Sequence, residues 1–307
     1  MRIAAMAAGA VGGYFGARMA AAGHDVTFIA RGGHRDAIRA HGLVIESTLG
    51  NLHLKNAKVT DDPRNVGPVD IVLFAVKLWD TESAAELSRP LISPNTRLIT
   101  FQNGVDSVER IAPILGPDRV TGGIALISTV IARPGVIAQT SPFARMRCGR
   151  MDGKPDAMLE AFADAAKAAN IDIATSSQIN ADRWRKFAFL VAFSGITAAS
   201  RQPIGVAMAD PDMKAFFRKL MEEVVAVGRA SGTDLGEGFV DEQMKFTENS
   251  PATMKASMAH DLERGNRLEL DWLAGKVVEL GRSFRLPVPA NEAVYALLKP
   301  YRVGRQQ

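Results

Sequence analysis

The feature that most narrows what this chain can fold into is a turn of small residues at positions 7–12. Arg2 to Met6 reads as a buried strand, and Gly12 to Ala22 is alanine-rich with helical spacing. Between them stands Ala7-Ala8-Gly9-Ala10-Val11-Gly12. A turn of this kind between strand and helix lets the backbone approach a pyrophosphate, which the helix N–H groups then hold. The usual pattern has glycine at three positions. Here the first is Ala7, while Gly9, where a phosphate comes closest, and Gly12, which permits close helix–strand packing, are both present. Alanine fits the first position provided its φ is negative. The alternative is a plain strand–helix turn in an α/β protein that binds something else.

The rest of the first half continues the alternation. Further strands are expected at Asp25 to Ala30, Asp70 to Val76, Arg97 to Phe101 and Val120 to Ile127. These runs are apolar throughout, as suits parallel strands covered on both faces, and the helical segments between them point to a doubly wound sheet. Residues 128–150, with Pro134, Gly135 and Pro142, look like hairpin-type strands closing that domain. Residues 157–169 read as helix and Ile171 to Ala174 as a last strand. Beyond Ser176 the spacing is helical, with breaks at Pro203, Pro211, Gly232, Gly236, Pro251, Gly265 and Pro287. The expected fold is therefore α/β, an N-terminal Rossmann-type doubly wound sheet over 1–176 joined to an all-α C-terminal domain over 177–307.

Arg31 sharpens the ligand. It lies 19 residues past Gly12 at the end of the second strand, where an acidic residue would bind ribose hydroxyls and a cation instead accommodates a 2′-phosphate. The stretch Ile29 to Arg35 has no acid and supplies a second cation in Arg35. NADP(H) is the expected cofactor, with an exposed structural arginine as the alternative.

Composition excludes other classes. The net charge of +4 comes from 37 basic and 33 acidic residues spread without a basic block, which argues against nucleic acid and fits an anionic small molecule. Cys148 is the single cysteine, so no intramolecular disulfide forms, in keeping with a reducing compartment. Glycines interrupt the apolar N-terminus, unlike a signal peptide, and the longest apolar run, Phe187 to Phe193, falls far short of the roughly 18 residues that span a bilayer. A cytoplasmic location with no membrane partner is expected. The five histidines, His24, His34, His41, His53 and His260, show no metal-ligand spacing, and no GxSxG motif is present.

Four segments together, AGAVGGYFGARMAAAGHDVTFIAR, FAVKLWDT, FQNGV and WRKF, resemble the ketopantoate reductase (2-dehydropantoate 2-reductase) family over essentially the whole chain. The resemblance implies NADPH-dependent reduction of 2-oxopantoate to pantoate on the way to pantothenate and coenzyme A. It also implies an active site in the cleft between a Rossmann domain and a helical domain. Lys77 and Asn103 follow strands of the sheet, where open α/β sheets bind ligands. The resemblance makes both cofactor contacts and turns Asn103 toward the substrate as well. Lys186 is the expected proton donor: it opens an apolar helix, whose burial lowers a lysine pKa, and its charge would attract a carboxylate. The alternative is a lysine snorkelling at a helix start. Glu269 and Ser257 are implied contacts of the substrate and the nicotinamide ribose. On one unbroken helix they would stand about 18 Å apart, and Gly265 is the expected break that folds them together.

One face departs from the family. Residues 186, 190 and 194 are spaced four apart on one side of a helix, where the family carries lysine and two asparagines; here they are Lys186, Leu190 and Ser194. A lost polar contact to substrate costs about 1–3 kcal/mol, so chemistry can persist while the substrate changes. Three readings follow: ketopantoate reductase itself; a paralogous NADPH-dependent reductase of another 2-oxo acid or ketone with a more apolar tail; and a non-catalytic NADP-binding sensor. Retention of Lys186 and Glu269 argues against the sensor. Helical second domains of this kind often form homodimers, and the sequence leaves that state open.

Overall fold

The computed structural model describes residues 1–305. The chain divides into two compact units, residues 1–102 with 106–179 and residues 103–105 with those from Asn180 onward.

In the first unit the strands are β1 (Arg2–Met6), β2 (Asp25–Ile29), β3 (Leu43–Ser47), β4 (Leu52–Leu54), β5 (Lys58–Thr60), β6 (Ile71–Phe74), β7 (Arg97–Thr100), β8 (Val120–Leu126), β9 (Thr129–Arg133), β10 (Val136–Gln139), β11 (Arg145–Gly149) and β12 (Asp172–Thr175). Its helices are α1 (Ala10–Ala21), α2 (Gly32–His41), α3 (Thr81–Leu87), α4 (Ser107–Leu115) and α5 (Ala157–Ala168). Eight strands form one sheet in the order β12-β11-β8-β7-β6-β1-β2-β5, parallel except where β11 meets β8. Alternate residues of the central strands feed two separate cores, as the period-two geometry of a strand demands. Ile3, Ala5, Ile71 and Leu73 pack on one face, and Ala4, Met6, Val72 and Phe74 on the other. Both faces are thus covered, which accounts for the unbroken apolar runs.

Two local differences from the sequence reading have physical causes. The first helix starts at Ala10 rather than Gly12, because Gly9 serves as its N-cap. The strands expected to close the sheet divide their work. β11 joins the main sheet, but β9 and β10 form a hairpin across Pro134-Gly135 whose β10 pairs with β3, and β3 in turn with β4, in a second, four-stranded sheet. Ile45 and Ile137, opposite each other in that sheet, are fully buried in the core that also holds Phe15 of α1, and this shared burial draws the hairpin away from the main sheet.

The second unit is helical: α6 (Ile179–Ser200), α7 (Ile204–Ala209), α8 (Pro211–Ala230), α9 (Phe239–Glu248), α10 (Ser257–Arg264), α11 (Ala274–Phe284) and α12 (Pro289–Leu298). Its first turn begins at Ile179, which still packs with the first unit, so the division falls at 179/180 where the sequence suggested 176/177. Phe187, Ala188, Val191, Ala192 and Ile196 place α6 at the centre of this unit's core beside Phe217 and Leu220 of α8. Among the described residues no helix is long and apolar enough to cross a membrane.

Candidate active site

In the first unit, three sequence candidates emerge from the carboxyl ends of neighbouring parallel strands. Ala7 directly follows β1, Arg31 stands two residues past β2, and Lys77 stands three residues past β6. The order β2-β1-β6 puts the point where strand order reverses here, the usual ligand position in an open α/β sheet.

The turn meets the requirements for a bound pyrophosphate. Ala7 is not among the residues of positive φ, so the condition on an alanine at this position is satisfied. A Cβ on Gly12 would lie 2.4 Å from the Ala7 carbonyl oxygen, so only glycine allows α1 to start this close to the turn. A Cβ on Gly9 would meet nothing within 4 Å, which leaves open space against the backbone at the helix start. No side chain caps α1 and its first turn holds no acid, so the first-turn N–H groups of Ala10, Val11 and Gly12 remain for an anion. His34 braces the turn from α2. Its Nδ1 accepts the Gly135 N–H (3.1 Å), which leaves Nε2–H to donate to the Ala8 carbonyl (3.1 Å). Burial lowers the His34 pKa and favours this neutral form.

Arg31 is exposed at the N-cap of α2, and no ion pair or hydrogen bond holds its guanidinium among the described residues. The second cation expected beside it is engaged elsewhere: Arg35 is tied to Asp36 and Asp61. Lys77 is exposed, with Nζ 5.6 Å from the Trp79 ring centroid.

In the helical unit, three candidates come together. The Lys186 ammonium on α6 donates to Asn103 Oδ1 at 3.2 Å, and Asn103 Nδ2 donates to Glu269 Oε2 at 3.5 Å. The amide is oriented by the two charges, acceptor toward the cation and donor toward the carboxylate. Lys186 is half-buried, and desolvation lowers its pKa to about 8 against the opposing charge of Glu269. Glu269 is 7% exposed between the buried Leu268 and Leu270. It reaches this place because α10 ends at Gly265 with φ of +71°, after which the Leu268 N–H bonds to the Arg302 carbonyl at 2.9 Å. The FQNGV segment divides its roles. Gln102 is buried and donates to the Val76 carbonyl and Thr81 Oγ1, whereas Asn103 faces the charges.

The remaining candidates are not joined to this cluster. Leu190 is half-buried against the helical core. Ser194 is 1% exposed, and its Oγ has no hydrogen-bond partner among the described residues. Ser257 is exposed and bonds to none of the three, although Gly265 does break the chain as expected. The neighbouring Ala256 N–H docks on Thr197 Oγ1, eleven residues along α6 from Lys186, which is about 16 Å of helix. Sequence reasoning passed over Arg183, which is 4% exposed and donates to the Val105 carbonyl at 2.5 Å. The available signal was a charged residue three positions before Lys186, one helical turn away on the same side of α6. Among the described residues no group of three or more His, Cys, Asp or Glu side chains is placed to hold a metal.

Comparison with known proteins agrees with this architecture. Residues 3–153 match the family model Ketopantoate reductase PanE/ApbA, and residues 178–302 match its C-terminal counterpart. The chain is 30% identical over 327 residues to a 2-dehydropantoate 2-reductase of Mesorhizobium japonicum, covering 99% of both. It is 29% identical to the uncharacterized oxidoreductase YkpB of Bacillus subtilis, covering 99% of this chain and all of that one. A crystal structure of a PanE/ApbA family ketopantoate reductase from Ralstonia eutropha superposes with a TM-score of 0.90 at 32% identity, over 98% of both chains. The chain therefore belongs to the ketopantoate reductase family and is an oxidoreductase acting on a CH–OH group.

Proposed function

We propose that this protein reduces 2-dehydropantoate to pantoate with NADPH. The observation that carries the reading is the hydrogen-bonded set Lys186–Asn103–Glu269, with a lysine whose pKa is brought to about 8. A donor of that pKa is charged at neutral pH yet gives up its proton readily, which suits a general acid.

Ala8 to Gly12 and the start of α1 would hold the pyrophosphate, Arg31 the 2′-phosphate, and Lys77 and Asn103 further parts of the cofactor. When bound, NADPH supplies the hydride that the carbonyl carbon receives. Lys186 attracts the 2-oxo acid carboxylate by its charge and donates a proton to the carbonyl oxygen as that oxygen gains charge. The ketone becomes an alcohol and the lysine becomes neutral. Asn103 fixes the direction of the ammonium, and Glu269 keeps the lysine charged before the transfer. Arg31 favours NADPH over NADH because its guanidinium is left available for a phosphate.

A second reading concerns the substrate. Leu190 and the buried Ser194 stand on the α6 face where the family carries two asparagines. That substitution supports a 2-oxo acid or ketone with a more apolar tail. The test is NADPH consumption with 2-dehydropantoate beside a panel of 2-oxo acids, with Lys186→Ala as control. Saturable turnover that prefers 2-dehydropantoate and disappears in the variant supports the first reading. Preference for a bulkier apolar 2-oxo acid supports the second. Turnover unaffected by Lys186→Ala would refute the mechanism. Arg31→Ala should weaken NADPH binding and leave NADH binding unchanged, and equal losses for both would overturn the cofactor assignment.

A further inference from the structure

Asn103 has less local support than its two partners. It heads a three-residue segment, 103–105, whose flanks Gln102 and Asp106 both pack with the first unit. Gly104 follows it directly, so the backbone beside the amide is intrinsically pliable. Besides the bonds of the Asn103 amide itself, two attachments fix the segment to the helical unit. Val105 is 6% exposed and belongs to the same apolar cluster as Trp184 and Phe187 of α6. The Val105 carbonyl accepts from the Arg183 guanidinium at 2.5 Å. Arg183 lies one helical turn before Lys186, so the two cations share a face of α6. One holds the backbone of the segment and the other meets its first side chain. A guanidinium that is 4% exposed is costly to bury unless hydrogen-bonded, so an arginine here calls for a specific task.

We propose that Arg183 is a positioning residue for the reduction, clamping the Val105 carbonyl so that the Asn103 amide is held between Lys186 and Glu269. This rests on the reading of Lys186 as proton donor. Without the clamp the backbone of the segment loses its bond to α6. The Val105 side chain and the Asn103 amide alone are left of the contacts named above, and Asn103 Oδ1 leaves the ammonium for part of the time. Lys186 then loses an acceptor that favours its charged form. The proton is delivered from a less defined direction and is carried by a smaller fraction of molecules. Both effects lower the rate of the chemical step.

The test uses full-length protein carrying Arg183→Met, Arg183→Lys, Asn103→Ala and the Arg183→Met/Asn103→Ala pair. Steady-state kinetics are measured across pH, and the Lys186 side chain is titrated by NMR in the ligand-free protein with labelled lysine. Arg183→Met should lower kcat by roughly tenfold to 100-fold, the scale of a misplaced catalytic group, with a smaller change in KM. The Lys186 titration should move to lower pH. In the Asn103→Ala background the same substitution should cost less than about threefold, because residues acting through one another are not additive. Wild-type kcat in Arg183→Met, an unmoved Lys186 titration, or an equal loss in both backgrounds would overturn the proposal. If Arg183→Met does not fold, Arg183→Lys keeps the buried charge with a shorter reach, and its Lys186 titration decides in the same way. The NMR titration needs no substrate, so it reads the clamp even if no 2-oxo acid is turned over. Turnover that depends on Lys186 but ignores Arg183 sinks the clamp alone.

Discussion

The pH dependence of turnover is the sharpest test of the lysine. An ordinary lysine has a pKa of 10.5, and desolvation brings Lys186 to about 8. As proton donor it acts only when charged. A group of pKa 8 is roughly nine-tenths charged at pH 7 and about one-tenth charged at pH 9, so the reductive kcat should fall about tenfold across that interval. A lysine left at its ordinary value would lose only about 3% of its charge over the same range. Alcohol oxidation needs the neutral amine, so its rate should rise about tenfold over the same two pH steps. The assay is NADPH absorbance in both directions at saturating substrate, with deuterated cofactor to confirm that hydride transfer limits the rate. A reductive rate flat from pH 7 to 9 would refute the reasoning.

Stability moves in the opposite sense to activity. The folded pKa lies below the unfolded one, so the cost of holding a charged lysine is present in full below pH 8. It is relieved as pH rises from about 8 to 10.5. The difference corresponds to at most about 3 kcal/mol, reduced because Lys186 is half-buried and keeps some water. Lys186→Met should therefore raise Tm at pH 7 while removing turnover, and the gain should shrink toward pH 10.5. A lowered Tm at pH 7 would show that the lysine is not held at a cost.

Three further outcomes follow from the geometry. Gly9→Ala should leave Tm unchanged and weaken NADPH binding, because its Cβ meets no protein atom, whereas Gly12→Ala should cost roughly 1–3 kcal/mol in denaturant unfolding through collision with the Ala7 carbonyl. Glu223, 3% exposed, accepts from the Ala290 and Asn291 backbone N–H groups and from Asn291 Nδ2 at the start of α12. Glu223→Ala, which strands these donors, should lower unfolding free energy by about 3 kcal/mol. Burial pushes the Cys148 thiol up to about 12, so a disulfide reagent at pH 8 should find no reactive thiol until the protein is unfolded, when one appears.

Much of this protein follows from local sequence. The turn at 7–12, the apolar strands after it and the helical spacing beyond Ser176 each express a preference carried by neighbouring residues, and the structure keeps them with shifts of one to three residues. WRKF and FQNGV mark Lys186 and Asn103, and the break at Gly265 follows from a residue that tolerates positive φ. What local pattern could not supply was the choice of partner. Periodicity says that residues 43–47 and 136–139 bury one face, but not that they pair with each other in a second sheet. Nor does it say that Ser194 lies inside the core, that Arg35 spends its charge on Asp61, or that residues 103–105 pack with the helices while both flanks pack with the sheet. Those outcomes depend on contacts between residues tens of positions apart. Burial, desolvation and the position of a countercharge exist only once the chain has closed on itself, and so the residues that could carry the chemistry were visible in the sequence, while the state of Lys186 and the support beneath Asn103 were decided by the tertiary structure.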